Sequence, residues 1–352
     1  MQEVDLEQYE PYFVETLQSL GYDHIFLAAK KKRQGLLIAW KSDKYYLNHR
    51  KDVHYDRLDA GTVGPTMWTG NIGLVLGLKD KEMDGRGLWV TNTHLFWHPR
   101  GSYERQRQAG VLVSETIAFS SREPTWPTII CGGTIFLNFW LMKDFNSTPR
   151  GMTYTALTQR PIQLTPYQQD ELEQSVAYDF RKVKEEEEDL ADDSDVPLSG
   201  TETPADKDSD IDADSSPSLP VWKTSEYLKQ ALLANEEKPL NIMSATLENN
   251  QRVLDHHALN PPLISLYSTG LKLCQPDNVV NSFGEPPFTN WAQGYRETLD
   301  YIFVVNKGQG TDGVKLTGLL QMPKREEMGE GEPQEGRFPS DHVCEMAEIE
   351  LL

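Results

Sequence analysis

The chain reads as an α/β sandwich, two packed sheets with helices outside, on three observations. Six short β-branched or apolar runs are bounded by Gly, Pro, Asn or Asp. Two longer stretches carry helix signals, one of them amphipathic. Polar clusters sit at the edges of the apolar runs, where the rim of a sandwich could gather them.

In chain order, the first helix is predicted over 7–20. Phe13, Leu17 and Leu20 recur at helical spacing, Pro11 is tolerable in a first turn, and Gly21 is a natural stop. The period then changes. Leu36 to Trp40, Ile72 to Leu78, Leu88 to Leu95, Thr128 to Cys131, Tyr301 to Val305 and Val314 to Leu320 are predicted strands, several of them buried on one face only. A second helix is predicted from Tyr103 to Phe119, after Pro99 and Gly101 and before a Ser-Ser pair. From Lys184 to Pro217 the composition of Glu, Asp, Ser, Pro and Thr leaves almost nothing apolar to offset ordering entropy, so a disordered surface insertion is expected there. Arg325 to Glu335 has the same character on a smaller scale. The predicted organisation is one domain in two parts, 1–183 and 218–352, interrupted by the acidic insertion 184–217.

With 352 residues, 38% of them hydrophobic, the chain can build a sizeable core. The net charge of -20 is uneven. Between Glu185 and Ser215 there are 14 acids against Lys207 alone, so the remainder is only mildly acidic, and a divalent cation on clustered carboxylates would offset part of that locally. Cys131, Cys274 and Cys344 lack CxxC spacing, which argues against a zinc site or a disulfide framework and fits a reducing, intracellular compartment. No apolar run reaches the roughly 18 to 20 residues of a membrane span, and no signal-peptide order opens the chain. The basic run Lys30-Lys31-Lys32-Arg33 could attract phosphates, serve as a nuclear address, or be a solvated loop. Cytoplasm and nucleus both remain open as locations.

Five polar clusters carry candidate chemistry. Glu3, in Gln2-Glu3-Val4-Asp5, could hold Mg²⁺, a hard cation that needs only one or two carboxylates beside water and substrate; the quartet also reads as a solvated strand end. In Asp144-Phe145-Asn146 an extended segment would point the carboxylate and the amide the same way, with Phe145 turned inward. Asp144 could then take a proton from attacking water while Asn146 holds a phosphate oxygen; the alternative is an Asx-turn. Asp300, among the apolar neighbours of Thr298-Leu299-Asp300-Tyr301, could orient His342 of Ser340-Asp341-His342 and keep it cationic against a developing phosphorane. His94, in Asn92-Thr93-His94-Leu95, could contact the scissile phosphate or be a satisfied structural histidine.

The order QEVD, NTHL, DFNSTP, TLDYIF and FPSDH resembles the endonuclease/exonuclease/phosphatase superfamily, and within it the branch of deadenylases and RNA exonucleases. The resemblance runs the length of the chain apart from the acidic loop. It implies a four-layer α/β sandwich of two packed mixed sheets flanked by helices. It also implies a Mg²⁺-dependent (alternatively Mn²⁺-dependent) 3′-to-5′ exoribonuclease releasing 5′-monophosphates from poly(A) or a ribosomal RNA precursor. Sugar-phosphate, sphingolipid and inositol-phosphate enzymes share that core, so a phosphatase or phospholipase is an alternative. Trp97 and Pro99, in Phe96-Trp97-His98-Pro99, are similar to the segment against which a nucleotide rests in that branch, and Tyr295 to its base-stacking aromatic; both favour a single-stranded RNA 3′ end as partner.

Two departures accompany the resemblance. Members run from Cys-Gly or Gly-Gly directly into Asp-Phe-Asn, whereas Thr134 to Lys143 intervene here, either as a bulged loop or as a fragment the flanks would join without. Members also begin with a strand ending in an Asn metal-site residue ahead of QEV, so an N-terminally truncated fold is expected. These departures support a second reading, a catalytically impaired scaffold binding RNA or, through the acidic loop, a protein partner.

Overall fold

The computed structural model describes residues 1–29, 32–56, 64–65, 67–132, 145–177, 239–292, 295–308, 313–329, 331 and 340–352. Lys30, Lys31, the intervening segment 134–143, Asp144 and the acidic insertion 184–217 lie outside them. The chain divides into two compact units, Met1–Val176 with Leu247–Leu352, and Ala177–Thr246. Within the second, the described residues are Ala177 and the first turns of a helix.

A three-stranded antiparallel sheet is built from β1 (Val4–Asp5), β2 (Tyr22–Ala28) and β3 (Gln34–Lys41), in the order β1-β3-β2. The six-stranded sheet contains β4 (Tyr45–His54), β5 (Ile72–Asp80), β6 (Gly87–Thr93), β7 (Thr128–Gly132), β8 (Leu263–Ser265) and β11 (Tyr301–Val305), in the order β4-β5-β6-β7-β11-β8. Its neighbours are antiparallel except β6 and β7, which are parallel. That pair needs a long crossover, supplied by α3 (Ser102–Ser120). Smaller antiparallel pairs join β9 (Asn290–Ala292) to β10 (Tyr295–Glu297), and β12 (Val314–Leu319) to β13 (Ala347–Leu351).

The predicted strands all appear, but β5 is buried along most of its length and on both faces. Leu74, Leu76 and Leu78 meet Leu36, Ile38 and Trp40 of β3, the seam between the two sheets. Val75 turns the other way and joins Trp89, Ile130 and Phe303 beneath Leu112 of α3 and Leu157 of α4 (Met152–Thr158). Further helices are α5 (Pro166–Ala177), α6 (Pro239–Ala258) and α7 (Leu266–Cys274), the last sharing a core with β11 and β12 through Leu266, Val304 and Val314.

The first predicted helix is interrupted: α1 (Leu6–Gln8) and α2 (Glu15–Ser19) flank a π-helical stretch, Tyr9–Val14. Its apolar residues do not form a core face, and Leu20 is 57% exposed. The packing residue is Tyr9, whose ring stacks on Phe26 at 4.2 Å. Asp5 caps the helix, accepting from the Glu7 and Gln8 amides, and Gly21 ends it with φ 72°. In the acidic loop near Arg325 the described residues include a short 3-10 turn, Arg325–Glu327.

Gly132 closes β7 opposite Tyr301, and Phe145 resumes the described chain against it. A Cβ on Gly132 would run into the Phe145 ring. Bare backbone therefore admits the ring that anchors Asn146. Gly132→Ala is expected to cost about 1 to 3 kcal/mol by overpacking, measured as a lower urea midpoint at unchanged slope.

Glu285 is fully buried and accepts the Tyr154 hydroxyl proton at 2.6 Å. Burial pushes its pKa up to about 7, against the opposing hydrogen bonds from Tyr154 and Ser265. An acid held neutral in the native state costs stability as pH rises from the unfolded value near 4.5 through the folded value, at most about 3 kcal/mol above pH 7. Glu285→Gln should remove that slope: parent Tm falls between pH 4.5 and 7.5 more steeply than the variant's, by thermal melts across the range.

Candidate active site

The cleft forms where the chain start passes the ends of β3 and β6. Met1 runs beside β3, its amine donating to the Leu37 carbonyl at 2.7 Å and its carbonyl accepting from the Leu37 amide at 2.8 Å. Asn92 on β6 closes the corner, donating to the Met1 carbonyl at 2.7 Å while its own oxygen accepts from the Gln2 amide. Glu3 is then presented with φ 54°, an uncommon left-handed conformation for a non-glycine residue and a local strain. Its side chain is 4% exposed. Glu3, Lys32, Asn71 and His94 line one small pocket.

His94 follows β6, with Nε2 3.4 Å from Glu3 Oε1. The segment beyond it forms no strand or helix, yet most of the carbonyls from His94 to Pro99 are held by side chains. Asn71 Nδ2 donates to the His94 carbonyl, and Asn146 Nδ2 to that of Leu95, each at 2.8 Å. Buried Arg105 on α3 reaches the carbonyls of Phe96, His98 and Pro99, and Gln108 accepts from the Phe96 amide at 3.0 Å. Trp97, half-buried, packs edge-on to His98, and Pro99 is exposed. Tyr295 starts β10 opposite Ala292. Burial pushes its hydroxyl up to about 12, with Glu297 and Glu171 adding and Arg105 opposing, which places the hydroxyl in the field of the guanidinium that holds the Trp97–Pro99 segment.

Asn146 is not on an extended segment: its φ is 55°. The expected alternation with Asp144 therefore does not carry through Asn146, although Phe145 is turned inward and 1% exposed. The left-handed turn aims the Asn146 amide back at Leu95, a contact an extended strand would not make.

Asp300 and His342 meet directly, His342 Nδ1 lying 2.7 Å from Asp300 Oδ2 with both side chains buried. One residue holds both. Thr289 Oγ1 accepts from the Leu299 and Asp300 amides at 2.9 and 3.0 Å, and its carbonyl accepts from the Val343 amide at 2.7 Å. An antiparallel bridge pairs His342 with Asn290, and Ser340 Oγ accepts the His342 amide at 3.0 Å. Burial is the main cause that raises Glu3 to about 8; His342 and Lys32 oppose the shift, while Asp341 and Asp300 add to it. That mutual influence brings the two ends of the sequence into one electrostatic neighbourhood.

Asp144 lies outside the described residues; Glu3, His94, Asn146, Asp300, His342, Trp97, Pro99 and Tyr295 lie within them. Sequence reasoning missed Asn71, Arg105, Gln108 and Thr289, which position the others. The one signal available was the polar run Glu104 to Gln108 in a helix that had to pack on a sheet, all five residues of which are buried. Among the described residues no group of three or more His, Cys, Asp or Glu is gathered as a metal-ligand set. What fits a hard cation is narrower. Glu3 Oε1, Asn146 Oδ1 and Asp300 Oδ1 are buried oxygens with no hydrogen-bond partner among the described residues, and Mg²⁺ takes oxygen ligands while keeping several waters.

Over its whole length the chain is 35% identical to the probable RNA exonuclease C9B6.11c of Schizosaccharomyces pombe, spanning 66% of that protein. It is 32% identical to the probable RNA exonuclease NGL3 of Saccharomyces cerevisiae, spanning 67% of it. The chain thus covers about two thirds of the length of these relatives. Among solved structures, ANGEL2, a 2′,3′-cyclic phosphatase, matches 99% of this chain and 80% of its own, at 22% identity and a TM-score of 0.57, a likeness of fold. No family model matches. Sequence kinship with the two yeast proteins and the shared sandwich agree: the chain belongs to the RNA-exonuclease branch of the endonuclease/exonuclease/phosphatase superfamily.

Proposed function

We propose that the chain is a Mg²⁺-dependent exoribonuclease that shortens single-stranded RNA from its 3′ end, poly(A) or a ribosomal RNA precursor, and releases nucleoside 5′-monophosphates. The observation that carries the reading is the buried Asp300–His342 pair at 2.7 Å, within electrostatic reach of Glu3. A carboxylate against one ring nitrogen fixes the ring and favours its cationic form, suited to steady negative charge as it develops on phosphorus.

The other roles follow from position. Glu3 would hold the metal, with Asn146 and Asp300 offering further oxygens; when bound, Mg²⁺ supplies charge neutralisation at the scissile phosphate. Asp144 accepts the proton of the attacking water. Asn146 and His94 grip phosphate oxygens. Trp97, Pro99 and Tyr295 receive the terminal nucleotide, since a base can stack on an aromatic face without regard to its identity.

Incubation with Mg²⁺ and RNA labelled at either end tests the reading. A ladder shortening from the 3′ end, with 5′-monophosphates as products, is expected; release of inorganic phosphate alone, or digestion from the 5′ end, would overturn it. Asp144→Ala and His342→Ala should each lower single-turnover rates by at least about 100-fold. Asp300→Asn keeps the shape of the pair without its charge, and should lose a comparable factor in kcat while Tm stays within a few degrees.

A further inference from the structure

Of the basic run that ends at Arg33, Lys32 is turned into the cleft. Its ammonium donates to Asn71 Oδ1 at 2.6 Å and shares the cavity lining with Glu3 and His94. An ammonium has three protons to donate and Asn71 takes one of them.

Asn71 belongs to a tightly pinned turn. Asp56 Oδ1 accepts the Thr69 amide and hydroxyl at 3.1 and 3.0 Å, and Asp56 Oδ2 accepts the Gly70 amide at 2.7 Å. Thr69 Oγ1 also takes the Asn71 amide at 3.2 Å and Gln108 Nε2 at 3.0 Å. Immediately before this turn stands Trp68, 63% exposed. A large rigid ring left mostly in water on so fixed a turn contributes little to the core. Three residues span at most about 11 Å, so Trp68 cannot stand far from Asn71 and the cleft it lines.

An exposed indole and a cation at one turn are what a single strand of nucleic acid requires: a π-face for a base and a charge for the backbone. We propose that Trp68 and Lys32 form a nucleotide subsite beside the cleft, the indole stacking on a base and the ammonium pairing with a backbone phosphate of single-stranded RNA one or two nucleotides from the scissile bond. The inference rests on the nuclease reading above and deepens it: the enzyme grips a short run of RNA rather than the terminal nucleotide alone, without base preference at this position.

Binding is measured by fluorescence anisotropy in Mg²⁺ with a labelled octanucleotide and a labelled dinucleotide whose linkages resist hydrolysis, so the result does not depend on turnover. Trp68→Ala should weaken octanucleotide binding about tenfold and lower the octanucleotide-to-dinucleotide affinity ratio by a similar factor, with Trp68→Phe recovering most of the loss. Lys32→Gln should reduce the slope of log affinity against log salt by about 0.7, the share of one phosphate contact on a single strand. The proposal is overturned if Trp68→Ala binds the octanucleotide within twofold of the parent, if both oligonucleotides weaken equally, if the Lys32→Gln salt slope is unchanged, or if the parent does not bind the octanucleotide. A parent that binds in this way but never cleaves natural RNA would instead end the nuclease reading and leave the subsite standing.

Discussion

Backbone carbonyls removed from water must find donors, and the irregular segment from His94 to Pro99 has no strand or helix to provide them. Asn71, Asn146 and Arg105 supply them from three different parts of the chain. The same constraint explains α3. Buried charge is tolerable only when paired and hydrogen-bonded, so its polar first half is not a solvated face. Arg107 satisfies Glu104 and the Tyr55 carbonyl, at 2.9 Å each, while Arg105 and Gln108 hold the segment that carries His94, Trp97 and Pro99. The helix that bridges the parallel pair of strands is thus also the device that shapes the cleft.

Strand direction does the rest. Because β6 and β7 are parallel, both deliver their following residues to one rim; β11 is antiparallel to β7, so the residue before it, Asp300, emerges at that rim as well. Thr289 then sets Asp300 and the His342 segment in register through its hydroxyl and its carbonyl. Two left-handed residues, Glu3 and Asn146, make the final adjustments at the same edge. Such strain persists only where the surrounding packing is stable enough to enforce it.

Much of this could be read from the residues. Short β-branched or apolar runs bounded by turn residues located β3, β5, β6, β7, β11 and β12, and the ordered polar motifs named the superfamily that kinship with the yeast proteins then showed. The strands β2 and β4 escaped because neither is an apolar run: His24 and Asp23 interrupt one, and Asn48, His49, Arg50 and Lys51 the other, as suits strands with one face toward water. The short helix α4 escaped because it is buried almost all round and so shows no apolar stripe, and α7 because its stripe spans only nine residues. The Asp300–His342 pairing was legible as two oddly placed polar residues. Its supports were not, since Thr289, Asn71 and Gln108 look like ordinary loop and helix residues until their partners are seen.

The reach of the site along the sequence has a consequence for biosynthesis. Glu3 leaves the ribosome well before His342, while the bridge from Asn290 that seats the imidazole can close only after both of its sides have emerged. A nascent chain can build the β4–β5–β6 meander early, since those strands are consecutive and locally paired, but the cleft does not exist until translation has passed its far side. The Asp300–His342 contact is thereby a late event in synthesis, well after the central strands can pair.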